Sequence, residues 1–161
     1  PAATSQLDFT TEDFSLIARV RTINLVAHSE LMAKGRQTGE GWNMTVTSVG
    51  AIELRTNQMG GSQLSASVAG AAVINTWYTL GFSRTGASVR IYKEGADVTS
   101  IVGTHINPDS GVAQPVGIGV SSQLTSRFWK GTIWKVLCFN RSLSPVEHLE
   151  RHRDLSLWQY A

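Results

Sequence analysis

The sequence has a single cysteine, Cys138, which excludes an internal disulfide, and no Cys pair or Cys/His spacing offers a zinc module. Set inside an apolar strand, Cys138 is expected as a small buried hydrophobe. Charge is also scarce: 16% of residues carry one, against about a quarter in an ordinary domain. The net charge of +2 comes from basic residues spread along the chain, with no block of one sign. That argues against a nucleic-acid surface or a charged interaction tail. No run of 18 apolar residues is present, so no transmembrane helix is expected and no membrane insertion. The opening residues PAATSQLDF lack a basic segment followed by an apolar stretch, so no signal peptide is visible. The chain then reads either as a domain cut from something larger or as a protein folded where it was made, with Pro1 exposed by loss of an initiator Met. Two nucleophile or phosphate devices are missing as well. There is no Gly-x-Ser-x-Gly elbow, and the glycine-rich loop Gly35–Gly41 lacks Gly-Lys-Ser/Thr and opens no helix.

What is present points to strands. Polarity comes mainly from Ser, Thr, Asn and Gln, valine and isoleucine are abundant, and fifteen glycines supply turns. The length of 161 residues suits one domain with a sizeable core. Composition is even from end to end, with no linker and no repeat of fixed period. In DFSLIARVRTI, Phe14, Leu16, Ala18 and Val20 alternate with Ser15, Arg19 and Arg21, and Ile17 breaks the pattern. GWNMTVTSV alternates Trp42, Met44 and Val46 with Asn43, Thr45 and Thr47, then pairs with AIELR through a hairpin at Val49-Gly50. TWYTLGFSR aligns Tyr78, Leu80 and Phe82; SVRIYKEG continues with Val89 and Ile91 and turns at Glu94-Gly95. PVGIGV reads as a further strand with Val116, Ile118 and Val120 aligned. Turns about every ten residues are the spacing of a sandwich or barrel.

One segment is helical by pattern. Ser144 is a good N-cap, Pro145 suits the first turn, and Glu147 completes a capping box. Glu147 and Arg151 are spaced for an i,i+4 ion pair, and Arg151, His152 and Arg153 suit the far end of the helix dipole. His148 and His152 share the spacing of a zinc-binding pair. Leu149 stands where a metalloprotease needs its glutamate, however, so both are read as surface or dipole-complementing residues at the outer end of the helix. The strand before it, GTIWKVLCF, has Ile133 out of phase with Trp134, Val136 and Cys138. That requires two covered faces or a bulge near Lys135.

The order of these signals is informative. DFSLIARVRT, LMAKG with GWNMTV, WYTLGFSRTGASVRIYKEGADV and FWKGTIWKVLCFNRSLSPVEH resemble, in sequence, four stretches of the laminin G-like and pentraxin-like members of the concanavalin A-like lectin/glucanase jelly rolls. The matching positions include Trp77, Tyr78, Leu80, Gly86, Val89, Ile91, Tyr92 and Gly95 in the third piece. In the fourth they include Phe128, Gly131, Ile133, Val136, Cys138, Phe139, Asn140, Arg141, Leu143, Ser144 and Glu147. Arg19 departs from the pattern, standing where an aromatic is often found. The resemblance implies an all-β fold, a two-sheet antiparallel jelly-roll sandwich with one short C-terminal helix, over residues 1–161 as a single domain.

Glycoside hydrolases of this fold carry Glu-x-Asp-x-(x)-Glu on one strand, and this chain has no such triplet, so no catalytic residues are assigned. Laminin G-like and pentraxin domains often bind calcium. The weak candidates here are Asn107 and Asp109 in THINPDSG, with Glu94 and Asp97 at the turn after Ile91. No cofactor is therefore expected. A glycan platform would use an exposed aromatic, for which Trp42, Trp129 and Trp134 are the candidates. Asn43-Met44-Thr45 and Asn140-Arg141-Ser142 match glycosylation acceptors. The chain is read as a non-catalytic recognition or assembly module. The leading reading is a virion surface structural protein, a capsid decoration or fibre, whose partners are other subunits. The alternative is a carbohydrate- or protein-binding, lectin-like module of an adhesive extracellular protein, and either role leaves a homo-oligomer open.

Overall fold

In the computed structural model, which describes residues 7–157, strict alternation builds two sheets that face each other. The elements in chain order are β1 (Phe14–Thr22), β2 (Ser29–Lys34), β3 (Trp42–Val46), β4 (Ile52–Gln58), β5 (Gly61–Ser67) and β6 (Trp77–Thr85). They continue with β7 (Ser88–Lys93), β8 (Ala96–Asp97), β9 (Thr99–Ile101), β10 (Val116–Ile118), β11 (Gly131–Phe139) and α1 (Pro145–Leu157). One sheet has five strands in the order β11-β1-β6-β7-β8, and the other six in the order β10-β2-β3-β4-β5-β9. All ladders are antiparallel, and the non-sequential neighbours are the crossovers of a jelly roll. Pro1, the residue behind the mature-start expectation, lies outside the described residues.

The core forms where the inward sets meet. Phe14, Leu16, Ala18 and Val20 of β1 and Tyr78, Leu80 and Phe82 of β6 oppose Trp42, Met44 and Val46 of β3 and Ile52 and Leu54 of β4. Ile17, the residue out of phase in β1, has a structural reason. It points to the other face and makes a second small core with Leu143 and Leu155 beneath α1. The five-stranded sheet is therefore buried on both faces at its centre.

The irregularity in the last strand is a bulge. β1 and β11 pair Arg19 with Lys135 and then Val20 with Ile133, so Trp134 is the extra residue. The shift lets Ile133, Val136 and Cys138 all reach the main core while Leu137 and Phe139 reach the second one. Cys138 is half-buried in this row, and burial pushes its thiol up to about 11, so it packs as an apolar group. The PVGIGV reading needs correction. Only Val116–Ile118 forms strand, and Ile118 is 54% exposed. Gly119 turns the chain at φ +73°, and a side chain at Gly117 would meet the Val120 carbonyl, so the segment folds back on itself instead of running on.

Candidate functional site

The outward row of the six-stranded sheet is polar yet largely hidden. Glu30 of β2, Asn43 and Thr45 of β3 and Glu53 and Asn57 of β4 are all buried, although they point away from the core. Asn43, Thr45 and Asn57 are joined in one network. Asn43 donates from Nδ2 to Thr45 Oγ1 at 3.0 Å, Asn57 Nδ2 donates to Asn43 Oδ1 at 3.0 Å, and Ser62 Oγ donates to Asn57 Oδ1 at 2.8 Å. Arg55 closes on Glu53 at 3.0 Å. Such a network fixes the orientation of its members, because an unmade bond there is expensive. The burial also makes the Asn43-Met44-Thr45 acceptor inaccessible.

At one end of this row two loops rise and enclose a pocket of about 430 Å³. The first is the glycine-rich segment Gly35–Gly41, whose two ends are pinched together. A side chain at Gly41 would stand 1.7 Å from the Lys34 carbonyl oxygen, and one at Gly35 would stand 2.1 Å from that of Glu40, both at positive φ. Inside the loop, Gly39 and Glu40 donate their N–H groups to the Arg36 carbonyl, each at 3.0 Å. The second wall is the chain from Ser121 to Arg127. Ser122 Oγ donates to the Gly35 carbonyl and ties the walls together. Gly60 N–H donates to Thr38 O at 2.9 Å, fastening the first loop to the β4–β5 turn. The pocket therefore stands preformed.

Its charged groups are matched in pairs. Arg36 meets Glu40 at 2.9 Å through Nε, and Arg127 meets Glu30 at 2.9 Å. The Arg127 carbonyl also accepts the Glu30 N–H at 2.9 Å, so side chain and backbone hold one another. Burial raises the Glu30 carboxyl above its ordinary range despite the arginine, and its Oε2 has no hydrogen-bond partner among the described residues. Thr38, Ser121, Ser122, Gln123 and Ser126 supply hydroxyls and an amide, and no aromatic side chain among the described residues lines the space.

The three tryptophans are not brought together here. Trp42 is 0% exposed, packed with Phe9 and Phe14 at ring distances of 6.1 and 5.7 Å, with Nε1 donating to Leu7 O. It offers no face to a ligand, which corrects its reading as a platform. Trp129 is 8% exposed in the main core, its backbone N–H donating to Gly119 O at 2.7 Å, and is corrected likewise. Trp134, expelled by the bulge, is 46% exposed on the edge strand and outside the pocket lining. Strand alternation cannot distinguish an inward Trp from an outward one; the network around Glu30 was missed for a different reason. Glu30 in SELMAK has the pattern of a solvated outward residue, and its partner Arg127 is 97 positions away in a loop.

The calcium candidates are used by the protein itself. Asn107 Oδ1 accepts from Arg84 at 2.6 Å and Asp109 Oδ2 accepts the Met59 N–H at 2.8 Å. Asp97 Oδ1 accepts from Thr99, and Glu94 faces Arg19 at 3.5 Å. Among the described residues no three His, Cys, Asp or Glu side chains are grouped so that they could hold a metal ion. The Arg19–Glu94 pair also accounts for the missing aromatic, since Arg19 lies buried against Thr79 with its guanidinium toward Glu94.

The histidines of α1 face inward, contrary to the sequence reading. His148 is 2% exposed, stacks on Tyr92 at 3.9 Å and shares a 2.7 Å hydrogen bond between Nε2 and Ser83 Oγ. Gly81 beneath it leaves room that a side chain would fill. Burial holds the imidazole down at about 4, so it is neutral and does not complement a dipole. His152 reaches Thr79 Oγ1 through Nδ1 at 3.2 Å. The capping box forms as expected, with Ser144 N–H to Glu147 at 2.9 Å and Glu147 N–H to Ser144 Oγ at 3.3 Å. Glu147 pairs with Arg141 at 2.5 Å and Arg151 with Asp154 at 3.2 Å, in place of the expected Glu147–Arg151 pair. Arg141 lies in the approach to the cap, where it can reach the first helical turn.

A family model described as the concanavalin A-like lectin/glucanases superfamily, Laminin_G_3, matches residues 1–147. The chain belongs to this superfamily. Solved structures agree on the fold of this laminin G-like domain. The CBM40 of the Ruminococcus gnavus IT-sialidase, bound to alpha2,3 sialyllactose, superposes with a TM-score of 0.70 at 12% identity, covering 89% of this chain and 84% of that one. The binding domain of botulinum neurotoxin serotype G gives 0.64 at 15% identity over 96% of this chain, which spans 40% of that one. A heptameric SAP-like pentraxin from Limulus polyphemus gives 0.60 at 14%, covering 92% and 77%. No curated protein matches by sequence.

Proposed function

We propose that the protein is a non-catalytic carbohydrate-binding module whose ligand enters the pocket between the Gly35–Gly41 loop and the Ser121–Arg127 wall. The observation that carries this reading is a preformed polar pocket whose hydroxyl, amide, carboxylate and guanidinium groups converge over a rigid, hydrogen-bonded sheet face. Several similar folds are binding modules by their own names, including one crystallised with a sugar, and they favour this lectin-like reading over the virion-surface one. The carboxylates support the non-catalytic reading. Glu53 is spent on Arg55, and Glu30 is locked to Arg127. An acid or base needs freedom to exchange a proton with its substrate. The module works outside the cell or on a particle surface, where glycans are displayed.

The test is direct. A glycan array probed with the full chain should show retention of a restricted set of saccharides. Ser126→Trp, at an exposed position on the pocket wall, should abolish that binding while leaving the melting temperature within a few degrees. Trp134→Ala should leave it intact. Loss of binding in Trp134→Ala with retention in Ser126→Trp would move the site to the edge strand and sink the proposal.

A further inference from the structure

The charge pattern of the pocket says more about its ligand than the fold does. Its lining holds two arginines, Arg36 and Arg127, and two glutamates, Glu30 and Glu40. Each cation faces a carboxylate, so the charged groups of the lining sum to zero. Arg36 meets Glu40 along one edge of its guanidinium, Nε to Oε1 at 2.9 Å and Nη2 to Oε2 at 3.2 Å, a bidentate fork. Arg127 donates from Nη1 to Glu30 Oε1 at 2.9 Å. The neighbouring cation on the sheet face, Arg55, is held by Glu53 at 3.0 Å. An anionic ligand would meet two carboxylates, one of them on a residue that is 3% exposed, along with the two guanidinium groups, and no surplus of positive charge holds it there.

The second element is Glu30 itself. Its Oε1 is shared between Arg127 and, at 3.5 Å, Asn43, while Oε2 has no donor among the described residues. A carboxylate or sulfate brought down into the pocket would approach the Glu30 carboxylate, which meets its arginine through one oxygen alone among the described residues. A hydroxyl carries no charge for that carboxylate to oppose. Met59, 90% exposed, stands at the lip as the one purely apolar side chain of the lining, suited to the C–H face of a pyranose ring.

We infer that the pocket selects an uncharged, hydroxyl-rich saccharide and discriminates against sialylated, uronic and sulfated glycans, with the Arg127–Glu30 and Arg36–Glu40 pairs acting as the charge filter. This rests on the carbohydrate-binding reading above and goes against the simplest analogy with the sialyllactose-bound CBM40. The specificity device is repulsive: the pairs do not attract a neutral sugar, they make an acidic one costly.

The experiment uses the full chain against an array carrying neutral oligosaccharides beside their sialylated, uronic acid-containing and sulfated counterparts, at physiological salt. Neutral probes should be retained about tenfold or more over their acidic counterparts, equivalent to about 1.4 kcal/mol. Glu30→Gln, nearly isosteric, and Glu40→Gln, on the loop, should each move the acidic-to-neutral ratio toward unity by removing one member of the filter. A wild-type chain that holds acidic probes as well as or better than neutral ones, with Ser126→Trp abolishing that binding, overturns the inference and leaves the pocket a glycan site. A ratio unmoved by both glutamine variants also overturns it. Failure to bind any probe removes the carbohydrate reading itself.

Discussion

Two buried histidines make the fold sensitive to acid. His148 sits under α1, and His105 lies between Thr56 Oγ1 at 2.9 Å and Ser65 Oγ at 3.0 Å; burial brings each imidazole down to about 4. In the unfolded chain a histidine takes its proton near pH 6.5. The neutral form is the one the fold accepts, so stability is complete above that value. It falls as the pH drops from about 6.5 toward 4, by up to ~3 kcal/mol per histidine. Denaturant titrations at pH 7.5, 5.5 and 4.5 should show this decline. His148→Phe, which keeps a ring on Tyr92 but cannot take a proton, should flatten it while costing about 1–2 kcal/mol at neutral pH. A decline of the same depth in a His105→Phe, His148→Phe double variant would exclude the histidines as its cause. The i,i+4 spacing of His148 and His152 was plain in the sequence, but the inward direction of His148 was not. A glycine one strand away, Gly81, makes the space that turns His148 inward, and no local pattern connects the two.

At the scale of elements, the legible features were those written within a few residues. The Ser144–Glu147 box, the hairpin at Gly50 and the Glu94-Gly95 turn, both with positive φ, follow from local chemistry and appear as expected. The box also leaves a measurable mark. Arg141 and the Ser144 N–H hold the Glu147 carboxyl down at about 2, so it stays ionised throughout the working range. Ser144→Ala should lower stability by about 1 kcal/mol in urea unfolding. The Gly35–Gly41 loop had a clear composition and no clear purpose. Its glycines serve the pinch between β2 and β3, since side chains there would strike backbone carbonyls. Gly41→Ala should cost about 3 kcal/mol or more and, in whatever fraction folds, misplace Arg36 and Thr38 and weaken sugar retention. A stable Gly41→Ala protein with unaltered binding would show that the loop's shape does not make the pocket.

For the whole molecule, the two-sheet architecture was readable because alternation and four ordered stretches agree across nearly the entire chain. The pocket was not readable, because it depends on closure between segments far apart in sequence, as the 97 positions between Glu30 and Arg127 illustrate. The same remoteness governs how the molecule is made. β1 sits between β6 and β11, and its Ser15 hydroxyl accepts the N–H of Leu143, 128 positions later. During synthesis β1 therefore emerges with one flank open, and it stays so until β11 has left the ribosome. Until then Ile17 has no lid, because Leu143 and Leu155 have not arrived. Between the synthesis of β1 and that of β11 the nascent chain offers an apolar edge, the condition under which chaperone capture and edge-to-edge aggregation compete with folding. Yield should thus depend on translation rate and temperature more than the modest size of this domain suggests.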